Sequence, residues 1–436
     1  MRLSLFALVS SSLAVFGVMQ VQGKSPTSAQ VGPYEVRQVF HVGGEGGFDY
    51  LTVDPERGLL YVPRTTHTMV LDAATGKTVA DIPGQQHNHG VAVVVGIGRG
   101  FISDGGNGAI TIFDLKTNRV LGKVKAAVDA DGIIYDPVSR KVLVSCGDAG
   151  VLIPISADVA PKTGRADPPV VLGGKPEFLV AAEGKAYVNL VDKDRVAVVD
   201  TRTMKVIHKW PTAPGGSPVG MSMDTVRHRL FIGCRKPQKL VVMNSDSGTV
   251  LADLPIGAGN DATQFDGDAF ASCRDGTLAV ARETSPGKFA IIQTVHTRQG
   301  AKTMGIDPKT HTLYLPTAEF GHQKDANSRP IAKPGSFVVL VVGQCDERAN
   351  MHDGIPKEWL GSPASAQHAE EDNMVNGVPF GSQSVEWKSL KAAMIEGDEI
   401  WGFCSPPDSW RHLSGRGGYA IVRKGKVVRS IVTLKN

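Results

Sequence analysis

The chain has 436 residues, with 50 glycines, 26 prolines and a formal net charge of +4 at neutral pH. The length exceeds one ordinary domain, and the Gly and Pro content favours a fold rich in tight turns. So small a charge, with no basic stripe, argues against a nucleic-acid partner.

The chain opens with Arg2, an apolar stretch from Leu3 to Val18, and small residues around Val21-Gln22-Gly23. This is the pattern of a cleaved export signal over 1–23, with the mature protein starting near Lys24. A periplasmic or secreted location is therefore expected. No transmembrane segment is expected, because this core is short and no second apolar run of about 20 residues follows. A monomer is expected. In an exported protein the five cysteines matter, since that compartment permits disulfides, and an odd count leaves one over.

Next comes an alternating segment, Tyr34 to Val42, and then a repeat. Tyr61, Phe101, Leu143, Tyr187, Phe231, Phe270 and Tyr314 sit in the same short context, 39 to 44 residues apart. A period near 40 residues marks β-propeller blades. In the first repeat four apolar runs, 49–54, 59–63, 68–72 and 78–82, are divided by Gly or Asp-Pro turns, which predicts four hairpin-linked strands. The second repeat, Gly100 to Gly122, carries Asn107-Gly108, a pair that suits a tight hairpin. The fourth runs from Ala186 to Val206 and closes at Trp210, and the fifth runs from Gly220 to Leu254. The third carries an insertion, Asp158 to Pro169, and the seventh a polar loop, Phe320 to Pro334. After Val342 the seventh repeat has no fourth strand, so Tyr34 to Val42 is expected to supply it and close the ring.

The segments Gly98-Arg-Gly-Phe-Ile-Ser-Asp104, Asn189-Leu-Val-Asp-Lys-Asp-Arg-Val-Ala-Val-Val-Asp200 and Ile306-Asp-Pro-Lys-Thr-His-Thr-Leu-Tyr-Leu315 resemble the YVTN-type β-propeller repeats of secreted bacterial and archaeal proteins. The likeness covers 34–344 and departs from the pattern at Tyr61-Val-Pro-Arg64 and Leu143-Val-Ser-Cys146. The resemblance implies architecture and export. The family's members are mostly binding or surface proteins, and related quinoprotein-like propellers include dehydrogenases. The expected fold class is all-β, a seven-bladed β-propeller of four-stranded blades over 34–344, plus a small α+β C-terminal module.

The inner strands of such a ring start at the mouth of a central channel, a place where ligands converge. Counting back from the repeat anchors puts Asp49, His89, Asp131, Lys175, Val219, Asp261 and Lys302 at those starts. Six of the seven are ionisable or imidazole, as a ligand site would require. The competing reading is that they are ordinary turn residues. The expected partner is a small ligand or a protein at this face. A divalent metal is the candidate cofactor, held by His87 and His89 with Asp131 or Asp49 as third ligand. Glu319-Phe-Gly-His322 adds weak support for a metal, since it lies on a loop. Cys146, Cys234 and Cys273 occupy equivalent strand ends, too far apart for bridging, and read as small buried residues, with a thiol cluster as the sharper alternative. Cys345 and Cys404 are the candidate disulfide pair.

No nucleophile elbow, Walker loop, dinucleotide fingerprint or zincin motif occurs. The leading expectation is a binding or interaction protein. The rivals are a metal-dependent lyase or hydrolase and a quinoprotein-like oxidoreductase, both with the site at the mouth. The latter is weak, with two Lys in the ring and no adjacent Cys pair.

Beyond the repeats, 345–384 is polar and reads as a linker. Residues 385–395 have helical periodicity, Glu399 to Cys404 a strand pattern, and Pro406 to Leu413 a helical turn. Gly418 to Thr433 predicts a hairpin about Lys424-Gly425. Together these form a small α+β module over 385–436, with Trp387, Trp401 and Trp410 as core candidates.

Overall fold

A computed structural model describes residues 33–324, 330–344, 351–352, 355–375, 377–411 and 415–435. The export signal over 1–23 and the Cys345 end of the candidate disulfide lie outside the described residues.

The repeats fold as antiparallel sheets of the β-propeller type. Strands Pro176–Ala182, Lys185–Leu190, Arg195–Asp200 and Lys205–Pro211 form one four-stranded sheet in chain order, and Pro218–Asp224 to Val250–Pro255 form the next. The same turn chemistry recurs from sheet to sheet. Asp72, Asp114, Asp200 and Asn244 end third strands, and each side chain accepts bonds from the backbone two and three residues on and from a hydroxyl at the third. Such side chains supply the turn's missing acceptor locally, which is why the period shows in the sequence.

Apolar faces of neighbouring sheets meet to make the core. Phe101 and Ile112 pack on Val142, Val144 and Ile153, while Leu143 and Leu152 pack on Leu179, Val188 and Ala197. Each sheet thus buries both faces only through its neighbours.

The first two repeats depart from the expected four-stranded pattern. They share one seven-stranded sheet, because strand Thr78–Val94 runs unbroken for 17 residues. Its start pairs with Thr65–Asp72 and its end with Arg99–Asp104. Between them the amides of Gly105 and Gly106 donate to the carbonyls of His87 and Gln86, at 3.1 and 2.8 Å, which ties the two halves together.

Strand Tyr34–His41 pairs with Val338–Gln344 as the outer strand of the last sheet, from Tyr34 opposite Gln344 to His41 opposite Val338. Phe40 is buried against Tyr314 and Phe337. The Gln293 side chain clamps the Tyr34 backbone, its Oε1 accepting from N at 3.0 Å and its Nε2 donating to O at 2.6 Å.

The C-terminal sheet takes strands Leu360–Ala364, Glu399–Cys404, Arg416–Arg423 and Lys426–Lys435, in that order. Its hairpin turns at Lys424-Gly425, both with positive φ. Helix Ser384–Ala392 sets Trp387 and Leu390 against Phe380, Ile400, Ile421 and Ile431. The stretch expected as a linker supplies both strand Leu360–Ala364 and helix Ala366–Asp372, whose Ala369 enters this core. Among the described residues no helix is long and apolar enough to cross a membrane.

Candidate functional site

Five inner strands begin with a register shift. Two residues of the inner strand stand opposite one of its neighbour at His89-Gly90, Asp131-Gly132, Glu177-Phe178 and Val219-Gly220, and Asp261 is the extra residue of a fifth shift. A bulge sacrifices ladder bonds and re-aims the side chain it carries, and bulges cluster beside active sites.

His89, Asp131 and Asp261 are joined through Asp49 and Lys302. His89 Nδ1 lies 2.8 Å from Asp49 Oδ2 and 3.5 Å from Asp131 Oδ1. Lys302 Nζ reaches Asp49 Oδ1 at 3.4 Å and closes on Asp261 Oδ2, whose other oxygen takes Arg235. Arg235 Nε also donates to the Asn260 carbonyl at 2.9 Å. On the far side of the imidazole, His89 Nε2 meets His87 Nδ1 at 3.1 Å. Tyr50 and Phe178, next in sequence to Asp49 and Glu177, bring their rings to 4.7 Å, and Tyr50 donates to the Asp261 carbonyl at 3.3 Å.

Charge decides the protonation pattern. Burial pushes the Asp49 carboxyl up, but Lys302 and His89 outweigh it and hold it at about 2. Burial disfavours the His89 cation, yet Asp131 and Asp49 outweigh that and raise it to about 9. Both ring nitrogens of His89 are then donors at neutral pH, one to Asp49 and one to His87. Burial pushes Asp131 up to about 6 and Glu177 up to about 7, each helped by neighbouring carboxylates. Lys302 is raised: burial opposes its charge, and Asp261 and Asp49 overcome it.

Of the seven positions expected from the sequence, Asp49, His89, Asp131, Asp261 and Lys302 come together. Lys175 does not. Its side chain is 43% exposed and pairs with Asp148 at 2.7 Å and Asp129 at 3.6 Å. The cause is a shorter hairpin. The fourth repeat turns on Glu183-Gly184 between paired Ala182 and Lys185, whereas the second has four residues between paired Val94 and Arg99. Counting back from Tyr187 therefore overshoots by two, and Glu177 holds the position equivalent to His89 and Asp131. The Glu-Gly pair, both residues with positive φ, was the available signal. Val219 is fully buried and offers its carbonyl to Asn189 at 2.8 Å, while Arg235, at the end of its neighbouring strand, brings the charge.

His87 sits behind His89, away from the two carboxylates. Among the described residues, the ligand atoms lying within 4.8 Å of one another belong to Asp49, His89 and Asp131. Glu319 pairs with Lys333 at 3.0 Å, and the His322 side chain lies outside the described ones. Cys146, Cys234 and Cys273 are buried, and burial pushes each thiol up to about 12, so they are neutral packing residues.

No family model and no curated protein matches the chain. Among solved structures, a chain of the Kuenenia stuttgartiensis hydrazine synthase matches with a TM-score of 0.55 and 11% identity, over 69% of this chain and 96% of that one. A chain of a mitotic checkpoint complex matches with a TM-score of 0.58 and 10% identity, over 77% and 99%. Both are of the β-propeller type. At such identities the likeness carries the fold alone.

Proposed function

We propose that this chain is an exported binding protein that takes a small polar ligand at the mouth of a seven-bladed propeller with YVTN-type repeats. Strand Thr78–Val94 is read as the outer strand of one blade and the inner strand of the next, which resolves the seven-stranded sheet into two blades. The observation that carries the reading is the joined set of Asp49, His89, Asp131, Asp261, Lys302 and Arg235, drawn from six repeats into one half-buried cluster. Ordinary turn residues face water separately. These converge where the field of each is least screened.

The test is a thermal-shift screen of small carboxylates, phosphates and amines on the mature chain. A mouth ligand at about 100 times its Kd stabilises by about 2.7 kcal/mol. That gain is expected to vanish in Arg235→Ala. Equal shifts in both proteins would place the binding elsewhere. A second reading, a metal-dependent lyase or hydrolase, is favoured by Glu177, whose carboxyl burial pushes up to about 7, in the range of general acids and bases, beside the ligand atoms of Asp49, His89 and Asp131. Cell fractionation tests the export.

A further inference from the structure

The carboxylates of Asp49, Asp131 and Asp261 converge on Lys302, Arg235 and the His89 imidazole. Both cations are committed to Asp261, and Lys302 also reaches Asp49. Asp131 Oδ1 is shut off from solvent and accepts no hydrogen bond. An orphaned buried acceptor costs about 1–3 kcal/mol, more when charged, and such atoms need an explanation.

We propose that Asp49, His89 and Asp131 are the protein ligands of one divalent first-row transition ion. The inference rests on the mouth being the binding site and names what binds there. The three ligand atoms lie within 4.8 Å of one another. Ligands at about 2.1 Å from a tetrahedral ion are about 3.4 Å apart. His89 Nδ1 and Asp131 Oδ1 already stand at 3.5 Å. Nδ1 and Asp49 Oδ2, at 2.8 Å, need to part by about 0.6 Å to reach that tetrahedral spacing. An imidazole in the set selects a transition ion over magnesium or calcium, which take oxygen. Three protein ligands leave a position open for water or for a carboxylate or phosphate oxygen of the bound molecule.

The surroundings hold the ligands in place. Lys302 sits on Asp49's second oxygen, and the Thr303 hydroxyl donates to the Asp49 carbonyl at 3.0 Å. His87 meets His89 on the nitrogen that faces away from the carboxylates. Outer partners of this kind fix ring orientation at a metal. A Cβ on Gly105 would stand 2.9 Å from His89 Nε2, so the missing side chain gives the imidazole its slot.

The experiment strips the mature chain with a chelator and titrates it with zinc and cobalt chlorides. Calorimetry measures stoichiometry, and the visible bands of cobalt report coordination by the trio. The expected result is one equivalent in the parent and in Lys175→Ala. Affinity should fall at least 100-fold in both Asp131→Asn and His89→Gln, each checked for fold by circular dichroism. If one variant fails to fold, the other carries the test. A folded parent that takes no ion, or equal binding in all variants, overturns the inference. If the parent takes no ion yet a polar ligand still shifts its melting through Arg235, the metal falls and the binding reading stands. If the trio binds metal and no polar ligand adds to it, the polar-ligand reading falls and the metal stands.

Discussion

Glu177 gives the sharpest test of the mouth's electrostatics, because removing its charge should stabilise the protein. Burial pushes its carboxyl from 4.5 to about 7, Asp131 and Asp261 push it further, and Arg235 and Lys175 pull only part of the way back. The folded state therefore holds a proton that the unfolded chain releases. Between about pH 4.5 and 7 the native form binds more protons than the unfolded one, so stability falls as pH rises through that window and then levels off. A tenfold change in proton affinity is worth about 1.36 kcal/mol, so the rise from 4.5 to about 7 sets a ceiling of about 3.4 kcal/mol. The side chain is only partly buried, and screening reduces the expected effect to about 2 kcal/mol. In Glu177→Gln that penalty is absent. Parent and variant should melt together near pH 4, and above pH 7 the variant should melt about 3 °C higher, taking about 2 cal/mol/K per residue over roughly 300 residues. The assay is the thermal midpoint of both proteins across that range. Parallel pH profiles, or a variant less stable than the parent at pH 8, would refute the reasoning.

Lys302→Met removes the cation shared by Asp49 and Asp261 and should cost about 3–5 kcal/mol, since it leaves buried carboxylates under-compensated. A loss below about 1 kcal/mol in urea unfolding would mean that water already screens the pair. Phe40→Ala empties a buried site in the closing strand and should cost about 3–5 kcal/mol, while deleting 34–41 should lower the melting temperature further. Unchanged melting in the deletion would sink the closing role. Gly233→Ala drives a Cβ into Asn260 Oδ1, and the amide of that side chain donates to the carbonyls of Ala262 and Ser272 at 3.1 and 2.8 Å. It should destabilise by about 1–3 kcal/mol as the bulge carrying Asp261 shifts. A variant as stable as the parent would show that Asn260 does not hold that bulge.

What was legible in the sequence was what local chemistry decides. The repeat is counted from anchors such as Tyr61 and Tyr187, and the turns that follow them, Asp72-Ala-Ala-Thr75 and Asp200-Thr-Arg-Thr203, are made with nearby atoms alone. The closing strand was legible through a deficit, since an outer edge at Val338–Gln344 lacked a partner and Tyr34–His41 had the alternation to be one. What was not legible depends on pairing between distant atoms. Strand Leu360–Ala364 has a Gly, a Ser and a Pro in five residues and is held by Glu399–Cys404 rather than by its own pattern. The bulge at Glu177-Phe178 exists only in the register against Asn189, and a count along the sequence lands on Lys175 two residues earlier. Arg235 ends a second strand, outside the set of inner-strand starts, and reaches the mouth only because Asp261 is turned toward it. Four of the third strands end on one turn chemistry, whereas the starts of the inner strands gather carboxylates, an imidazole and two cations. There the inner strands give up regular ladder bonds, and the buried groups are charged and in part unpaired. Local penalties of this kind persist only where something else offsets them, and the ligand proposed for the mouth would supply that offset.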